Sequence, residues 1–171
     1  MGTEGPAIVI TDTSVLINFL AIGRMDLIAA HPCRFLVTDH VAEEVQEHYE
    51  FQREQFQEAI DAGVVEQISA NEPAEVELFV QLSTERRLGY GECSAIAVAV
   101  NRGYILGIDD RKAKNQAQAV CGDLHVVGTQ ELVVEMIQAS LLSVVDADLI
   151  KDKWASDHSF ALKIASFADL L

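Results

Sequence analysis

Short continuous apolar runs alternate with segments in which apolar residues recur every three or four positions. Ala7-Ile8-Val9-Ile10 is a β-branched run and predicts a buried strand. Val15, Leu16, Phe19 and Leu20 then repeat at helical spacing, with Thr13 or Ser14 available as a cap and Gly23 as a stop. Met25 to Ala30 predicts another helical turn or two. Phe35-Leu36-Val37 predicts a second strand, and Thr38 or Asp39 caps a helix carrying Val41, Val45 and Tyr49. A charged helical stretch continues to about Ala62. Val64 to Ile68 predicts a third, weaker strand at a sheet edge. A helix from about Pro73 carries Val76, Phe79, Val80 and Leu82, and Gly89-Tyr90-Gly91 breaks it. The next helix holds Ala95, Ile96, Ala99 and Val100. Tyr104 to Ile108 predicts a fourth strand, Arg111 to Val120 a helix, and Leu124 to Val127 a fifth strand.

Strands alternating with helices imply βαβ units, a mainly parallel sheet and right-handed crossovers. The expected fold is α/β, a three-layer α/β/α sandwich on five strands, built as one domain over residues 1–171 with its core at about 7–140. Beyond Leu141 the pattern predicts further helices. Val144, Val145, Leu149, Ile150 and Trp154 form one stripe, and Phe160, Ile164, Phe167 and Leu171 another. Two roles are open for this extension: completing the core, or contributing to a dimer interface with Trp154 as its anchor.

Half of the 171 residues are apolar, which excludes a mainly disordered chain. Acids outnumber Lys and Arg 27 to 12, giving a net charge of -15. A polyanion binder working through overall positive charge is therefore excluded, and any nucleic acid must be met by a local basic patch or by bound cations. Cys33, Cys93 and Cys121 make neither a CxxC motif nor a Cys/His cluster, so reduced thiols are expected. No membrane-length apolar run is present, and Met1 to Pro6 has neither a signal-peptide pattern nor a myristoylation pattern. The expectation is a cytoplasmic protein without a membrane partner.

In open parallel sheets chemistry gathers at the carboxyl ends of the strands. Asp12 follows the first strand and Asp109-Asp110 the fourth. Each has a plain structural explanation as a helix cap. Glu44 lies at the margin of the Val41/Val45 stripe, whereas Glu43 shares a solvated face with Glu47, Glu50 and Glu54. Glu92 stands three, four and seven residues before Ala95, Ile96 and Ala99. It thus heads the apolar stripe of its helix and should lean toward the core side. Asp12, Glu44, Glu92 and Asp109 meeting at one end of the sheet would repel one another unless a proton or a cation intervened. Oxygen-only ligands suit Mg²⁺ or Mn²⁺.

These segments resemble the motifs of PIN-domain nucleases, in the toxin-like (VapC-type) branch. Ile8 to Ile17, with Asp12-Thr13-Ser14, resembles the family's opening motif. Val37 to Val45 resembles its second acidic motif, with Glu44 matching the glutamate. Leu88 to Ala97 resembles the third in its Gly-Glu form, and Ile105 to Ala113 the fourth in its Asp-Asp form. Val127-Gly128-Thr129 is similar to the branch's tail. The resemblance implies a Mg²⁺- or Mn²⁺-dependent ribonuclease that hydrolyses RNA phosphodiesters, many relatives being homodimeric toxins held by a small antitoxin. It implies Asp12, Glu44, Glu92 and Asp109 as the catalytic, metal-site acids, with Asp110 as a substitute ligand. It implies Ser14 as a group orienting Asp12 or a bound water. Two departures stand out: Lys114 where the branch often has Arg, and Gly107 where the wider family has Thr or Ser.

Arg86, Arg87, Arg111, Lys112 and Lys114 flank the third and fourth motifs and are candidate contacts to an RNA backbone. Tyr90 could stack a base or pack its loop. The five His residues show no paired spacing, so neither zinc nor a general-base His is expected. Three other readings compete with the nuclease. A catalytically silent PIN-like module binding RNA or protein would be signalled by a missing acid, and all four are present. An aspartyl phosphotransfer site would want a second Asp two residues after Asp12, where Ser14 stands. A dinucleotide site would want GxGxxG after the first strand, which is absent.

Overall fold

The computed structural model of the chain describes residues 4–171, so the expectation about a leader at Met1, Gly2 and Thr3 lies outside the described residues. Five strands, β1 (Ile8–Thr11), β2 (Arg34–Thr38), β3 (Val65–Ile68), β4 (Ile105–Gly107) and β5 (Val126–Val127), form one sheet in the order β3-β2-β1-β4-β5. Every pairing is parallel, with Val9 opposite both Phe35 and Ile105. Chain order runs outward from β1 in one direction and then resumes at β4 on its other side. The end of β1 next to β4 is therefore the switch point at which such sheets open a crevice.

Strand side chains alternate between two cores because successive residues point to opposite faces. Val9, Phe35 and Val37 enter one core; Ile10, Leu36 and Leu106 enter the other. The first core is closed by α1 (Thr13–Ala21), α2 (Met25–Ala30), α3 (Asp39–His48), α4 (Arg53–Asp61), α8 (Thr129–Gln138) and α9 (Val144–Asp157). The second is closed by α5 (Pro73–Glu85), α6 (Tyr90–Arg102) and α7 (Arg111–Val120). Three layers result, as the alternation predicts. Helix α6 is buried almost throughout, from Cys93 to Ala99, because it lies across β1, β2 and β4 beneath α5. Its alternating Ala residues permit that placement.

Several expectations change. The charged stretch after Val41 is two helices, since the α-helical ladder ends at Tyr49 and resumes at Arg53. Between them Phe51 is 91% exposed. On α5 the buried face is Glu75, Leu78 and Leu82, while Val76 and Val80 face solvent. Glu75 can be buried because Arg102 meets it with two nitrogens, at 2.5 and 3.0 Å. The stripe from Phe160 to Leu171 is not a helix. After α9 the chain is irregular, Ser159 lies in left-handed backbone (φ 53°), and a 3₁₀ turn (Phe167–Leu170) closes the chain. Asp148 accepts from Ser166 Oγ at 2.6 Å and Phe167 N at 2.9 Å, which draws this tail back onto α9.

Trp154 is fully buried rather than an interface anchor. Its indole N–H donates to Asn18 O at 2.7 Å, and its ring meets Phe19 and Phe160 edge-on. Burying a side chain of this size contributes about 3 kcal/mol. The three cysteines are free, and no helix among the described residues is long and apolar enough to cross a membrane.

Candidate active site

Asp12 leaves the sheet at the switch point. Its amide donates to Gly107 O at 2.8 Å, fastening the end of β1 to β4. Its side chain caps α1 through Ser14 N at 3.4 Å and accepts from Ser14 Oγ at 2.9 Å. The same Ser14 Oγ accepts from Asp109 N at 3.2 Å, so one hydroxyl ties the two strand-end acids together. Asp12 is only 4% exposed. Burial, then the nearby negative charge of Glu92, pushes its carboxyl up to about 7 against the lowering effect of Ser14.

Glu44 comes in from α3. Thr13 Oγ1 donates to Glu44 Oε2 at 2.8 Å, holding the carboxylate over the start of α1. Both acids border the space left by the missing side chain of Gly91, at the buried start of α6. A Cβ there would lie 2.5 Å from Glu44 Oε2 and 3.5 Å from Asp12 Oδ1. The sequence marks Gly91 only as a helix breaker; its spatial task is to leave that space open.

Glu92 does lean inward, and it is half-buried. Burial raises its carboxyl, and Asp110 and Glu44 raise it further, while Lys112 lowers it. It also serves the plainer purpose of a cap, accepting from Gly89 N at 3.0 Å. Asp109 turns away from this group toward α8. Its Oδ1 accepts from Thr129 N at 2.8 Å, and its Oδ2 from Thr129 Oγ1 at 2.5 Å and Asn18 Nδ2 at 3.1 Å. Burial nonetheless raises its carboxyl. Asp110 caps α7 through Ala113 N at 2.8 Å. Thus Asp12 and Glu44 both border Gly91, Glu92 is near enough to feel Asp110 and Glu44 and to act on Asp12, and Asp109 shares Ser14 but is satisfied elsewhere. Glu92 and Asp110 are each retained by their own backbone partners. Accordingly, no three acidic, His or Cys side chains among the described residues close on one ion-sized point.

The fit to a hard cation can still be judged. Magnesium keeps most of its water and is held by one or two carboxylates. Asp12 and Glu44 both border the space left open at Gly91, and Asp12 is buried there with its carboxyl raised by burial and then by the charge of Glu92. The donor set is oxygen throughout. The residues fit Mg²⁺ or Mn²⁺. Gly107, the departure from the wider family, is tightly enclosed, and a side chain there would press its neighbours aside. A Cβ there would sit 3.2 Å from both Thr11 and Val9 side-chain atoms.

Sequence reasoning passed over Thr13, Asn18, Thr129 and Tyr49. Asn18 was detectable as a polar residue on an otherwise apolar helix, four after Ser14. Tyr49 stands close enough that Glu44 and Asp12, after burial, help raise its phenol. Nothing in local sequence ties Thr129 to Asp109, 20 residues earlier.

The basic candidates lie on the neighbouring rim. Arg87, Arg111 and Lys112 are exposed, Arg86 and Lys114 half-buried. Arg86 donates to Gln116 Oε1 at 2.8 Å, and Lys112 to Arg87 O at 3.4 Å. Arg87 itself has φ 55°, turning the chain between α5 and α6. Tyr90 is 67% exposed and packs by its edge near Phe79 and His40.

A family model described as PIN domain matches residues 8–156. Among solved structures the chain is similar to PAE2754 from Pyrobaculum aerophilum, at 14% identity and a TM-score of 0.54, covering 80% of this chain and 94% of that one. It is also similar to VapBC2 from Rickettsia felis, solved bound to a DNA fragment from their promoter. There the identity is 13% and the TM-score 0.47, covering 71% of this chain and 98% of that one. No curated protein matches. The likeness to PAE2754 concerns the fold alone. With the family model spanning all five strands and α1 to most of α9, the chain belongs to the PIN-domain family.

Proposed function

We propose that the protein is a metal-dependent ribonuclease that hydrolyses RNA phosphodiester bonds. The observation that carries this reading is that Asp12, at the end of β1, and Glu44, from α3, both line the space left open by Gly91. Asp12 is buried at the switch point and burial raises its carboxyl, a placement that is unfavourable for the charged form and that a cation would relieve. Asp12 and Glu44 would hold Mg²⁺ or Mn²⁺, with Glu92, Asp110 and Asp109 around them. When bound, the ion supplies an activated water and offsets charge on phosphoryl oxygens.

The chain's own residues do the rest. Ser14 fixes Asp12 Oδ2 and Thr13 fixes Glu44 Oε2, so both carboxylates are oriented before substrate arrives. Burial raises the Asp12 carboxyl to about 7, so Asp12 would have to be deprotonated to hold a cation. Ser14 is engaged by Asp12 and Asp109 and offers no free nucleophile, which favours attack by water. Arg111, Lys112 and Lys114, with Arg86 and Arg87 beyond, would hold the phosphate backbone beside the acids.

One observation favours the silent-module reading: both oxygens of Asp109 are already satisfied by Thr129 and Asn18. The deciding experiment is titration of Mn²⁺ by calorimetry alongside cleavage of single-stranded RNA. Micromolar binding with cleavage that stops on chelation is expected. Heat and cleavage both absent would leave the silent module. The roles of toxin, antitoxin partner and homodimer rest on motif resemblance. Coexpression with the product of an adjacent short reading frame is expected to suppress cleavage.

A further inference from the structure

Beside the two acids lies a cavity that hydrolysis does not use. It has a volume of 210 Å³, with His40, Glu43, Glu47, His48 and Tyr90 in its walls, and it also touches Glu44 and Gly91. It is therefore continuous with the candidate active site. Sites for drug-sized ligands occupy about 300–1,000 Å³, so this one has room for a single flat ring system. Tyr90 is 67% exposed, although its ring lies 5.6 Å from Phe79 and 6.3 Å from His40. His40 stacks on Phe79 at 4.8 Å and 28°. Nδ1 of His40 is buried without a hydrogen-bond partner, the one such side-chain atom among the described residues. The His40 ring is thus held by its face rather than by polar contacts, and it braces the aromatic group behind Tyr90.

The chemistry of the walls selects an occupant. An exposed aromatic face beside a phosphodiester site stacks nucleobases. Glu43, Glu44 and Glu47 repel phosphate, so the group that enters must present N–H donors. Glu43 is exposed and makes no hydrogen bond or ion pair among the described residues, whereas Glu47 Oε2 lies 3.8 Å from His48 Nε2. A single carboxylate accepts best from two parallel N–H groups. Guanine offers that pair on its Watson–Crick edge, at N1 and N2. Adenine and cytosine place an acceptor beside the amino group, and uracil places its N–H between two carbonyls.

We propose that this cavity is a guanine subsite for the RNA substrate, in which Tyr90 stacks on the base and Glu43 accepts from N1–H and N2–H. The RNA rests on the nuclease reading above; base selection is measurable without cleavage. The probes are trinucleotides A-X-A, with X guanosine, inosine, adenosine, cytidine or uridine, bound to the intact protein in chelator at 0.15 M salt. Guanosine should bind about tenfold tighter than inosine, which lacks the N2 amino group, as expected for a charge-assisted hydrogen bond. Glu43→Gln should bring the two within about twofold. Tyr90→Ala should weaken every probe about tenfold, and Tyr90→Phe should restore binding. Both positions are exposed, and circular dichroism checks that the variants are folded. Equal binding of all bases, indifference to Glu43→Gln, or no binding at all would overturn the subsite. Cleavage of a random-sequence RNA in Mn²⁺ is scored separately. Cleavage without guanine preference leaves the nuclease and removes the subsite; guanine selection without cleavage does the reverse.

Discussion

At Asp12 burial makes stability depend on pH. An unfolded chain leaves this carboxyl near 3.8, and the folded site raises it to about 7. Between those values the folded protein holds a proton that the unfolded chain has lost. Stability therefore falls as pH rises from about 4 to about 7, by on the order of 4 kcal/mol at the upper end. Asp12→Asn removes that slope. Its metal-free form should melt about 10 °C higher than the parent at pH 8, and no higher at pH 4, by scanning calorimetry. The same variant should lose RNA cleavage by at least about 10²-fold, the scale for removing a principal electrostatic group. A variant that keeps the parent's pH slope would mean that Asp12 is ionised without penalty. Gly91→Ala approaches the site from the other side. The added methyl would sit 2.5 Å from Glu44 Oε2, so Glu44 must swing away. Mn²⁺ affinity should fall about tenfold or more, while helix content is unchanged.

Between elements, Asp109 acts as a clamp. It hangs on β4's exit, and Thr129, the first residue of α8, gives it both an N–H and an O–H. Thr129→Val keeps the shape and deletes the hydroxyl, leaving a buried carboxylate short of a donor. A loss of about 1–3 kcal/mol is expected in urea unfolding. Helix α9 is fastened comparably, because the Trp154 indole N–H closes on Asn18 O while the Asn18 side chain holds Asp109. These ties explain what could be read from the sequence. Strands β1, β2 and β4 were legible because continuous apolar runs report burial on both faces. The strand-end acids were legible because the switch point follows from strand order. The residues that aim those acids were not, since Thr13, Asn18 and Thr129 act across 31, 91 and 20 positions. The stripe from Phe160 to Leu171 misled because irregular chain drawn onto a core at Phe167 also spaces apolar residues a few positions apart.

Across the whole molecule, a net charge of -15 must be reconciled with a polyanionic substrate. Long-range attraction is absent, so on the proposed reading binding would come from a cation held by Asp12 and Glu44 and from the short basic rim. Such an interface makes few phosphate contacts, and the salt dependence of binding counts them. A slope of log K against log salt of only about -2 to -3 is expected for single-stranded RNA, at roughly -0.7 per neutralised phosphate. Arg111 and Lys112 are the exposed members that follow Asp110 directly. Replacing both with Ala should weaken RNA binding at every sequence and reduce the slope by about 1–2, with Mn²⁺ affinity retained. A slope unchanged by the double variant would move the phosphate track to another face, and the acids would then have to meet their substrate without that rim.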